Sequence, residues 1–268
     1  MTNNYVNNKN EVRMVSKVRN NYFRKFVDFI IKQSCLKMDS VVVDTPCGTG
    51  EMTQLLLKKG VGKKYYLLDI NPFMTKEARN RLPKKSTIIT GDANNIANFI
   101  PERVDTIFCL NGFHIYLSRK RQFLKGCYKI LRPGGTLIFD VSTKGLNNEQ
   151  SKRFLVKENA EMRILSRNKF IKYCALKLAN HNTLKNYQNL LREAGFSIKT
   201  VKMFDTWKSV DELVDETTKI PGRLRSRLLN TTDKQRVTIY KEANEVAKQE
   251  TGIKRIEHNR IFFVAKKP

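Results

Sequence analysis

Short apolar runs alternate with amphipathic stretches along the first half of the chain. From Glu11 to Lys32, apolar residues recur at helical spacing, which predicts an amphipathic helix. Runs rich in β-branched and aromatic residues follow, each separated from the next by a stretch that suits a helix or a turn. The predicted strands are Ser40–Asp44, Lys64–Asp69, Thr87–Thr90, Val104–Leu110 and Thr136–Val141. This alternation predicts a parallel, doubly wound α/β sheet.

Helix boundaries in this half carry specific signals. The helix predicted over 51–60 ends at a glycine. Asn71 followed by Pro72 predicts an N-cap with proline at the first helical position. Another predicted helix, Ser118–Leu131, should stop at the Arg-Pro-Gly-Gly sequence of residues 132–135.

The second half is less regular. Thr183–Ala194 predicts a helix, Phe196–Phe204 a sixth strand and Ile261–Ala265 a seventh. Between these last two strands, helices are predicted around Asp211–Thr218 and Asp233–Glu250. A long helical insert beside a ligand-binding sheet is typical of a lid or a pocket wall.

These elements fit a single domain over residues 1–268, since a chain of this length can bury one sizeable core with an accessory lobe. We divide the domain into five consecutive parts. They are an N-terminal helical cap (1–37), a cofactor-binding core (38–145), the rest of the sheet (146–205), a helical lid (206–259) and the last strand (260–268).

The composition of the chain says more about its binding partners than about its fold. The formal net charge of +26 suits nucleic acid, an acidic carrier protein or anionic lipid, although a solvated lysine-rich surface is the simpler explanation. The five cysteines form no Cys-x-x-Cys pair, which predicts reduced thiols and no metal site. The sequence shows no signal peptide and no apolar run of bilayer length, so we expect a cytoplasmic protein.

The segment Val41–Thr53, VVVDTPCGTGEMT, is the most informative part of the sequence. Three β-branched residues lead into Asp44, then a turn with Gly48 and Gly50, then a helix start. A helix N-terminus presents free N–H groups, and glycines let a ligand approach that backbone closely. This arrangement predicts a nucleotide-cofactor loop at the carboxyl end of a strand.

Polar groups also follow the next predicted strands. Asp69 ends the second strand, where a carboxylate can accept hydrogen bonds from both ribose hydroxyls. Asp92, after the third strand, suits the amino group of an adenine, and Asn111 follows the fourth. A dinucleotide loop is disfavoured because Thr53 stands at the third glycine position and Asp44 would repel a pyrophosphate. The sulfonium-bearing amino acid of S-adenosylmethionine suits Asp44 better.

Five segments resemble, in order and spacing, the successive motifs of class I S-adenosylmethionine-dependent methyltransferases. They are VVVDTPCGTGEMT, YYLLDINPFM, TIITGDANNI, VDTIFCLNGFHIY and LRPGGTLIFDVS, within residues 39–142. The resemblance implies a Rossmann-like, seven-stranded sheet, mostly parallel with an antiparallel last strand. It also implies S-adenosyl-L-methionine as cofactor and S-adenosyl-L-homocysteine as product. One position departs from the family, because Pro46 replaces the first glycine of the turn.

The resemblance also assigns the cofactor-binding residues. The matching positions are Asp44, Gly48 and Gly50 for the methionine part, Asp69 for the ribose, Ile70, Asp92 and Ala93 around the adenine, and Leu110 lining the site. A Rossmann-like protein that has lost cofactor binding is the alternative. All the expected polar groups are nevertheless present, which favours a binding-competent site.

The methyl acceptor is less well specified. The tail is similar in layout to small-carboxylate O-methyltransferases, including the trans-aconitate, malonyl-carrier-protein and juvenile hormone acid enzymes. This similarity implies a small-molecule or acyl-carrier-bound acceptor, to which Arg223, Arg225 and Arg227 could offer guanidinium groups unless they form a solvated helix face. An RNA-modifying methyltransferase is the alternative, because of the positive charge, and a non-catalytic methyltransferase-like binding subunit is the third. The sequence leaves the oligomeric state open.

Few residues are candidates for chemistry on the acceptor. His114, just past the fourth strand, is the best-placed general base, although a carboxylate acceptor needs none and a packed loop histidine is equally typical. Its neighbour Tyr116 and the strand-end residue Asn111 could contact the acceptor. Tyr22 and Trp207 are expected to wall the acceptor pocket or to fill the core.

Overall fold

The computed structural model describes residues 8–113, 119–142, 148–167, 172–173, 184–225 and 227–268. The chain forms two compact units. The larger, which we call the sheet unit, comprises residues 16–142, 182–203 and 261–268. The smaller, which we call the helical unit, comprises residues 1–15, 143–181 and 204–260. None of the described helices is both long and apolar enough to cross a membrane.

A seven-stranded sheet forms the centre of the sheet unit. In chain-order numbering its strands are β1 (Val41–Asp44), β2 (Lys64–Asp69), β3 (Ser86–Thr90), β4 (Val104–Cys109), β5 (Leu131–Ser142), β7 (Ser197–Phe204) and β11 (Arg260–Lys266). Their order across the sheet is β3-β2-β1-β4-β5-β11-β7, and β1 to β5 run parallel. β11 runs antiparallel to β5, since the Gly134 N–H near the start of β5 donates to the Lys267 carbonyl just past the end of β11. The predicted mostly parallel sheet with an antiparallel last strand is confirmed.

The helices around this sheet begin and end close to their predicted bounds, except for the four-residue helix Ile96–Phe99, which was not predicted. They are α1 (Lys9–Ser34), α2 (Glu51–Lys58), α3 (Pro72–Arg81), α4 (Ile96–Phe99), α5 (Lys120–Ile130) and α7 (Leu184–Glu193). The predicted cap of α3 is confirmed, because Asn71 Oδ1 accepts the Phe73 N–H at 2.9 Å and Pro72 occupies the first helical position. The cap residue lies two residues after Asp69, so α3 begins close to the end of β2.

Stacked aromatic rings hold the middle of the sheet unit together. Phe113, Phe139 and Phe263 stack with ring centroids 4.1 and 4.8 Å apart, and Tyr187 of α7 lies 5.5 Å from Phe263. All four rings are buried, and burial of a side chain this large contributes roughly 1.5–3 kcal/mol. This packing fixes β4, β5 and β11 relative to each other, and with them the carboxyl edge of the sheet.

The described residues of the helical unit include three helices and several short strands, besides the first residues of α1. Its elements are α6 (Glu149–Leu165), β6 (Lys172–Tyr173), β8 (Trp207–Ser209), α8 (Val210–Thr218), β9 (Leu228–Leu229), α9 (Asp233–Thr251) and β10 (Arg255–Glu257). β8 pairs antiparallel with β10, and β6 pairs antiparallel with β9. The two helices predicted for the insert are confirmed, whereas the strands beside them were not predicted.

A buried ion pair lies at the centre of the helical unit. Arg227 donates to both carboxylate oxygens of Glu158, at 2.8 and 3.0 Å, and to Asn159 Oδ1 at 3.0 Å. Its guanidinium also lies 5.9 Å from the Tyr240 ring centroid. Arg225 forms ion pairs as well, with Glu11 and with an aspartate of α9. Two of the three arginines proposed for an anionic acceptor therefore have carboxylate partners within the protein.

We expect Arg227→Met to lower the free energy of unfolding by about 3–5 kcal/mol, because it leaves the Glu158 carboxylate buried without its partner. Denaturant titration measures the change. Replacing both residues, in Arg227→Met/Glu158→Leu, should recover most of the loss. The exposed pair Arg121–Glu193 is the matched control, and Arg121→Met should cost less than about 1 kcal/mol. An equal loss in Arg227→Met and Arg121→Met would contradict this prediction.

Candidate functional site

The turn after β1 has a backbone that only glycine adopts easily. Gly48 has a φ of 59° and Gly50 a φ of 80°, both in the left-handed region. A Cβ on Gly50 would lie 2.7 Å from Leu82 Cδ1, so a side chain there would also require the leucine to shift. Gly50 is the N-cap of α2 and has no side chain to bond the first N–H groups of that helix. The turn therefore presents backbone donors at a helix N-terminus, as predicted.

Asp44 ends β1 with a carboxylate that is buried but not fully bonded. Its Oδ2 accepts the Thr53 hydroxyl at 2.8 Å, and the Thr53 backbone N–H also interacts with this carboxylate, whereas no described side chain donates to its Oδ1. Burial raises the pKa of Asp44 to about 7, although the Thr53 bond opposes that rise. Glu51 raises this pKa further, whereas Arg19 lowers it. A buried acid with an open oxygen and a pKa near neutrality suits a cationic ligand.

Asp69, at the end of β2, braces the glycine turn. Its Oδ2 accepts the Gly48 N–H at 2.8 Å and its Oδ1 accepts the Asn71 N–H at 2.9 Å. Burial raises the pKa of this carboxyl, and Arg19 together with the two backbone bonds opposes the rise. Each carboxylate oxygen has two lone pairs, so both can still accept a bond from a ligand hydroxyl.

Asp92 lies just after β3 and caps a short 3-10 turn. Its Oδ1 accepts the Asn94 N–H at 2.9 Å and the Asn94 side-chain amide at 2.8 Å. Its Oδ2 has no such bond to any residue that the structure describes. Because β1, β2 and β3 are adjacent and parallel, Asp44, Asp69 and Asp92 all lie at the same edge of the sheet.

The apolar candidates at this edge differ in exposure. Ile70 follows β2 and is 37% exposed, although every residue of the strand after its first is buried. Ala93 and Leu110 are both buried, after β3 and β4 respectively. An exposed isoleucine beside Asp69 offers an apolar surface to a flat ligand, and the assignment of Ile70 to the adenine stays a prediction.

Arg19 of α1 is a site residue that the sequence did not reveal. It is buried, and a Cβ on Gly48 would lie 1.7 Å from Arg19 Nη1, so the guanidinium lies directly against the turn. It lowers the pKa of both Asp44 and Asp69, which shows that its charge acts on both carboxylates. The only available signal was a basic residue four positions after Val15 on the apolar face of the predicted helix.

A third buried carboxylate, that of Glu51, supports the turn from α2. Its Oε1 accepts Arg81 Nη1 at 2.8 Å and also the Thr49 hydroxyl. Arg81 Nη2 donates in turn to the Ser16 hydroxyl at 2.7 Å. The other oxygen, Oε2, is buried and bonds to none of the described residues. Buried polar atoms are usually bonded, so this oxygen has spare capacity for a donor.

Asp140 connects two of the predicted acceptor residues. One of its oxygens accepts the Tyr22 hydroxyl at 2.6 Å, and the other accepts the Asn111 N–H. Asn111 itself has a φ of 53°, a left-handed conformation at the end of β4. Asp140 is fully buried near the end of β5, and it was not among the predicted site residues. The structure thus brings Tyr22 and Asn111 together through a carboxylate.

Other predicted site residues are placed elsewhere or are not described. His114 and Tyr116 lie outside the described residues, so their assignment stays a prediction. Trp207 and Arg223 belong to the helical unit, where Trp207 is 42% exposed and Arg223 is half-buried. Arg223 forms no ion pair with a described residue, unlike Arg225 and Arg227.

The arrangement in the sheet unit fits an adenosyl ligand that carries an amino acid. The left-handed glycine turn leaves room for close approach, and Asp44 and Asp92 each have an oxygen to which no described side chain donates. Arg19 adds a cation beside the Asp44 anion, and a zwitterionic amino acid needs one group of each charge. The residues present therefore suit S-adenosylmethionine.

Comparisons with known proteins agree with this geometry. A family model described as a methyltransferase domain matches residues 43–139. An uncharacterized methyltransferase of Geobacillus kaustophilus is 31% identical over 42% of this chain and 51% of its own length. A malonyl-[acyl-carrier protein] O-methyltransferase of Ilyobacter polytropus is 27% identical over 37% of this chain and 36% of its own.

A solved structure extends the likeness to most of the chain. A candidate methyltransferase of Bacillus halodurans superposes with a TM-score of 0.59 at 18% identity, over 90% of this chain and 98% of that one. At this identity the likeness concerns the fold alone. The chain spans about half or less of the length of the curated relatives it matches. The matched family model, the sheet order and the strand-end carboxylates therefore agree, and residues 43–139 are similar to a methyltransferase domain.

Proposed function

We propose that the protein transfers a methyl group from S-adenosylmethionine to a small-molecule or carrier-bound acceptor, and that the acceptor group is a carboxylate. The observation that carries the proposal is the set of three carboxylates, Asp44, Asp69 and Asp92, around the left-handed glycine turn. The relative named for O-methylation of a malonyl carrier protein supports an acidic acceptor. An acceptor of this kind and the reduced thiols of the described cysteines suit a cytoplasmic enzyme.

Each site residue has a distinct part in holding the cofactor under this proposal. Asp44 would accept the amino group of the methionine part through its open Oδ1, and Arg19 would pair with the carboxylate. Asp69 would accept the ribose hydroxyls, and Asp92 Oδ2 would accept the adenine amine. Ile70 would cover the adenine face. When bound, S-adenosylmethionine supplies a methyl group on a positively charged sulfur, which is already a good leaving group.

The residues around the acceptor would mainly orient it and exclude water. A carboxylate acceptor is ionised near neutral pH and requires no base. A phenol or a carbon acid would require one, and His114 is then our candidate. Tyr22 and Asn111, which are held by Asp140, would line the acceptor side, together with Tyr116.

Two alternative functions are distinguished by direct measurements. RNA methylation is favoured by the charge of +26 and predicts turnover on RNA. A non-catalytic binding subunit predicts cofactor binding without turnover on any acceptor. Arg223 and Trp207 stay predicted acceptor contacts, which methylation assays on variants can test.

We expect Asp69→Asn to weaken binding of S-adenosylhomocysteine by about tenfold or more, because hydrogen bonds to a charged group contribute roughly 1.5–3 kcal/mol. Isothermal calorimetry measures the change. Asp69 also accepts the Gly48 N–H, so its substitution could weaken binding through the turn alone. To isolate the ribose contact, binding of a 2′,3′-dideoxy analogue is compared with binding of S-adenosylhomocysteine. The wild type should prefer S-adenosylhomocysteine, and Asp69→Asn should lose that preference. Asp39→Asn, on an exposed aspartate, is the control. An undiminished preference in Asp69→Asn would refute the ribose assignment.

Arg19→Met should weaken binding of the amino-acid part of the ligand and leave binding of the adenosine part nearly unchanged. We expect it to weaken S-adenosylhomocysteine by about tenfold and to leave 5′-methylthioadenosine, which lacks the amino acid, nearly unchanged. Fluorescence competition or calorimetry measures both ligands. Arg24→Met, at an exposed position of the same helix, serves as control and should change neither. An equal loss for both ligands would mean that Arg19 only supports the turn.

Cofactor affinity should depend on pH through Asp44. Its pKa of about 7 means that below pH 7 a proton must leave before the carboxylate can pair with a cation. We expect S-adenosylhomocysteine to bind about tenfold more weakly at one pH unit below that pKa than well above it. Its amino group stays protonated across this range, so the ligand does not titrate. Calorimetry at several pH values gives the profile.

Two variants and one stability measurement check the origin of this profile. Asp44→Asn should bind weakly without the pH dependence. Thr53→Val should move the midpoint upward, since the lost hydroxyl bond was lowering the Asp44 pKa. The folding stability of the ligand-free protein should depend on pH in the opposite direction. Because the Asp44 pKa is raised from 3.8 to about 7 in the fold, its contribution to the free energy of unfolding is fully present below pH 3.8. That contribution is lost as the pH rises through about 7. A wild-type affinity that does not change with pH would contradict the assignment of Asp44 to the amino group of the ligand.

A further inference from the structure

A groove in the helical unit combines the single tryptophan of the chain with three cations. It has a volume of about 470 Å³ and is lined by Trp207 of β8, Arg153 of α6, and Lys254 and Arg255 at the start of β10. Gln150 and Thr251 complete its polar lining. We call it the Trp207 groove. Methyl transfer as proposed above makes no use of these cations.

The floor of the groove is rigidly built. β8 and β10 pair antiparallel, with Trp207 opposite Glu257 and Ser209 opposite Arg255. Alternation along paired strands then puts Trp207 and Arg255 on one face of this two-stranded sheet. The Glu257 N–H also donates to Ser151 Oγ at 2.8 Å, which ties β10 to α6. Beneath them the buried side chains of Phe154, Val210, Ala247 and Ile256 form an apolar cluster.

The charged groups of the groove are available for a partner. Arg153, Lys254 and Arg255 are exposed, and none of them forms an ion pair or side-chain hydrogen bond with a described residue. Glu257, on the same face as Trp207, does not line the groove, and its Oε1 accepts the Asn259 amide. The result is a cationic groove around an aromatic ring that is 42% exposed.

We propose that the Trp207 groove binds single-stranded nucleic acid, with a base stacked on Trp207 and the phosphates beside it contacting Arg153, Lys254 and Arg255. Exposed aromatics interleaved with cations are the combination that single strands require, since every base has a stackable face and every linkage an anion. An acidic protein would use the cations but gain little from the indole. The net charge of +26 strengthens the attraction of any polyanion over long range.

The test uses Trp207 as its own reporter, because it is the only tryptophan. The full chain, without cofactor, is titrated with an oligouridylate of about ten nucleotides while tryptophan emission is followed. We expect saturable quenching. The logarithm of the affinity should fall with the logarithm of salt by about 0.7 for each phosphate contacted. Neither readout involves turnover, so failure here is distinct from failure of the proposed methyl transfer.

Matched variants assign the binding to the groove. Arg153→Gln/Arg255→Gln should weaken binding about tenfold or more and reduce the salt slope by about 1.4. Lys84→Gln/Lys85→Gln removes the same charge at exposed positions of the sheet unit, and should change the affinity less than about threefold. Trp207→Ala, followed by filter retention, should also lose about tenfold or more. Circular dichroism melts show that each variant is folded.

Four outcomes would overturn the proposal. The first is the absence of quenching and retention in the wild type. The second is an equal loss in the two double variants, which would indicate general charge attraction. The third is equal quenching by polyglutamate, which would indicate an acidic polypeptide partner. The fourth is competition by uridine monophosphate as strong as by the oligomer, which would indicate a small-molecule site.

Discussion

The hydrogen bond from the Gly48 N–H to Asp69 Oδ2 is the interaction on which the site depends. It ties the turn after β1 to the end of β2, and the Asn71 N–H completes the attachment on the other oxygen. The parallel pairing of β1 with β2 brings these groups together, because Asp44 lies opposite Leu67, two residues before Asp69. Under the proposed function, one carboxylate therefore both shapes the turn and accepts the ribose hydroxyls of the ligand. For that reason a loss of cofactor affinity on substitution of Asp69 could come from either role. Comparing ligands with and without the ribose hydroxyls distinguishes the two.

A second feature, the raised pKa of Asp44, comes mainly from burial, and the charge balance of the surrounding groups adds to it. Among the residues that the structure describes, three buried carboxylates, Asp44, Asp69 and Glu51, interact with two guanidinium groups, Arg19 and Arg81. By formal charge the cluster has one negative group in excess, and holding the proton on Asp44 relieves it. Under the proposed function, a ligand with a net positive charge restores the balance better than a neutral one. The same arrangement then favours the sulfonium cofactor over its neutral product.

The sequence predicted the parts of the fold that are set locally. The strand ends, the glycine turn and the Asn71 cap each depend on residues within one turn or strand. β5 shows the limit, because its Pro-Gly-Gly segment was predicted to stop the preceding helix, with the strand beginning only at Thr136, and is instead part of the strand. There Leu131 pairs with Val104 before a shift of register. Strands of two or three residues, such as β8 and β10, are too short for a periodic signal, and only their pairing defines them.

Residues whose roles depend on distant partners could not be predicted. Arg19 contributes through Gly48 and two strand-end carboxylates, and Asp140 through a tyrosine 118 positions away. Arg227 was a candidate for an anionic acceptor, but its partner Glu158 lies 69 positions earlier in the chain. A basic residue in a sequence thus shows charge without showing whether it is neutralised. Net charge alone is weak support for a polyanion site, and the stronger argument is a cluster of cations without carboxylate partners around an exposed aromatic ring.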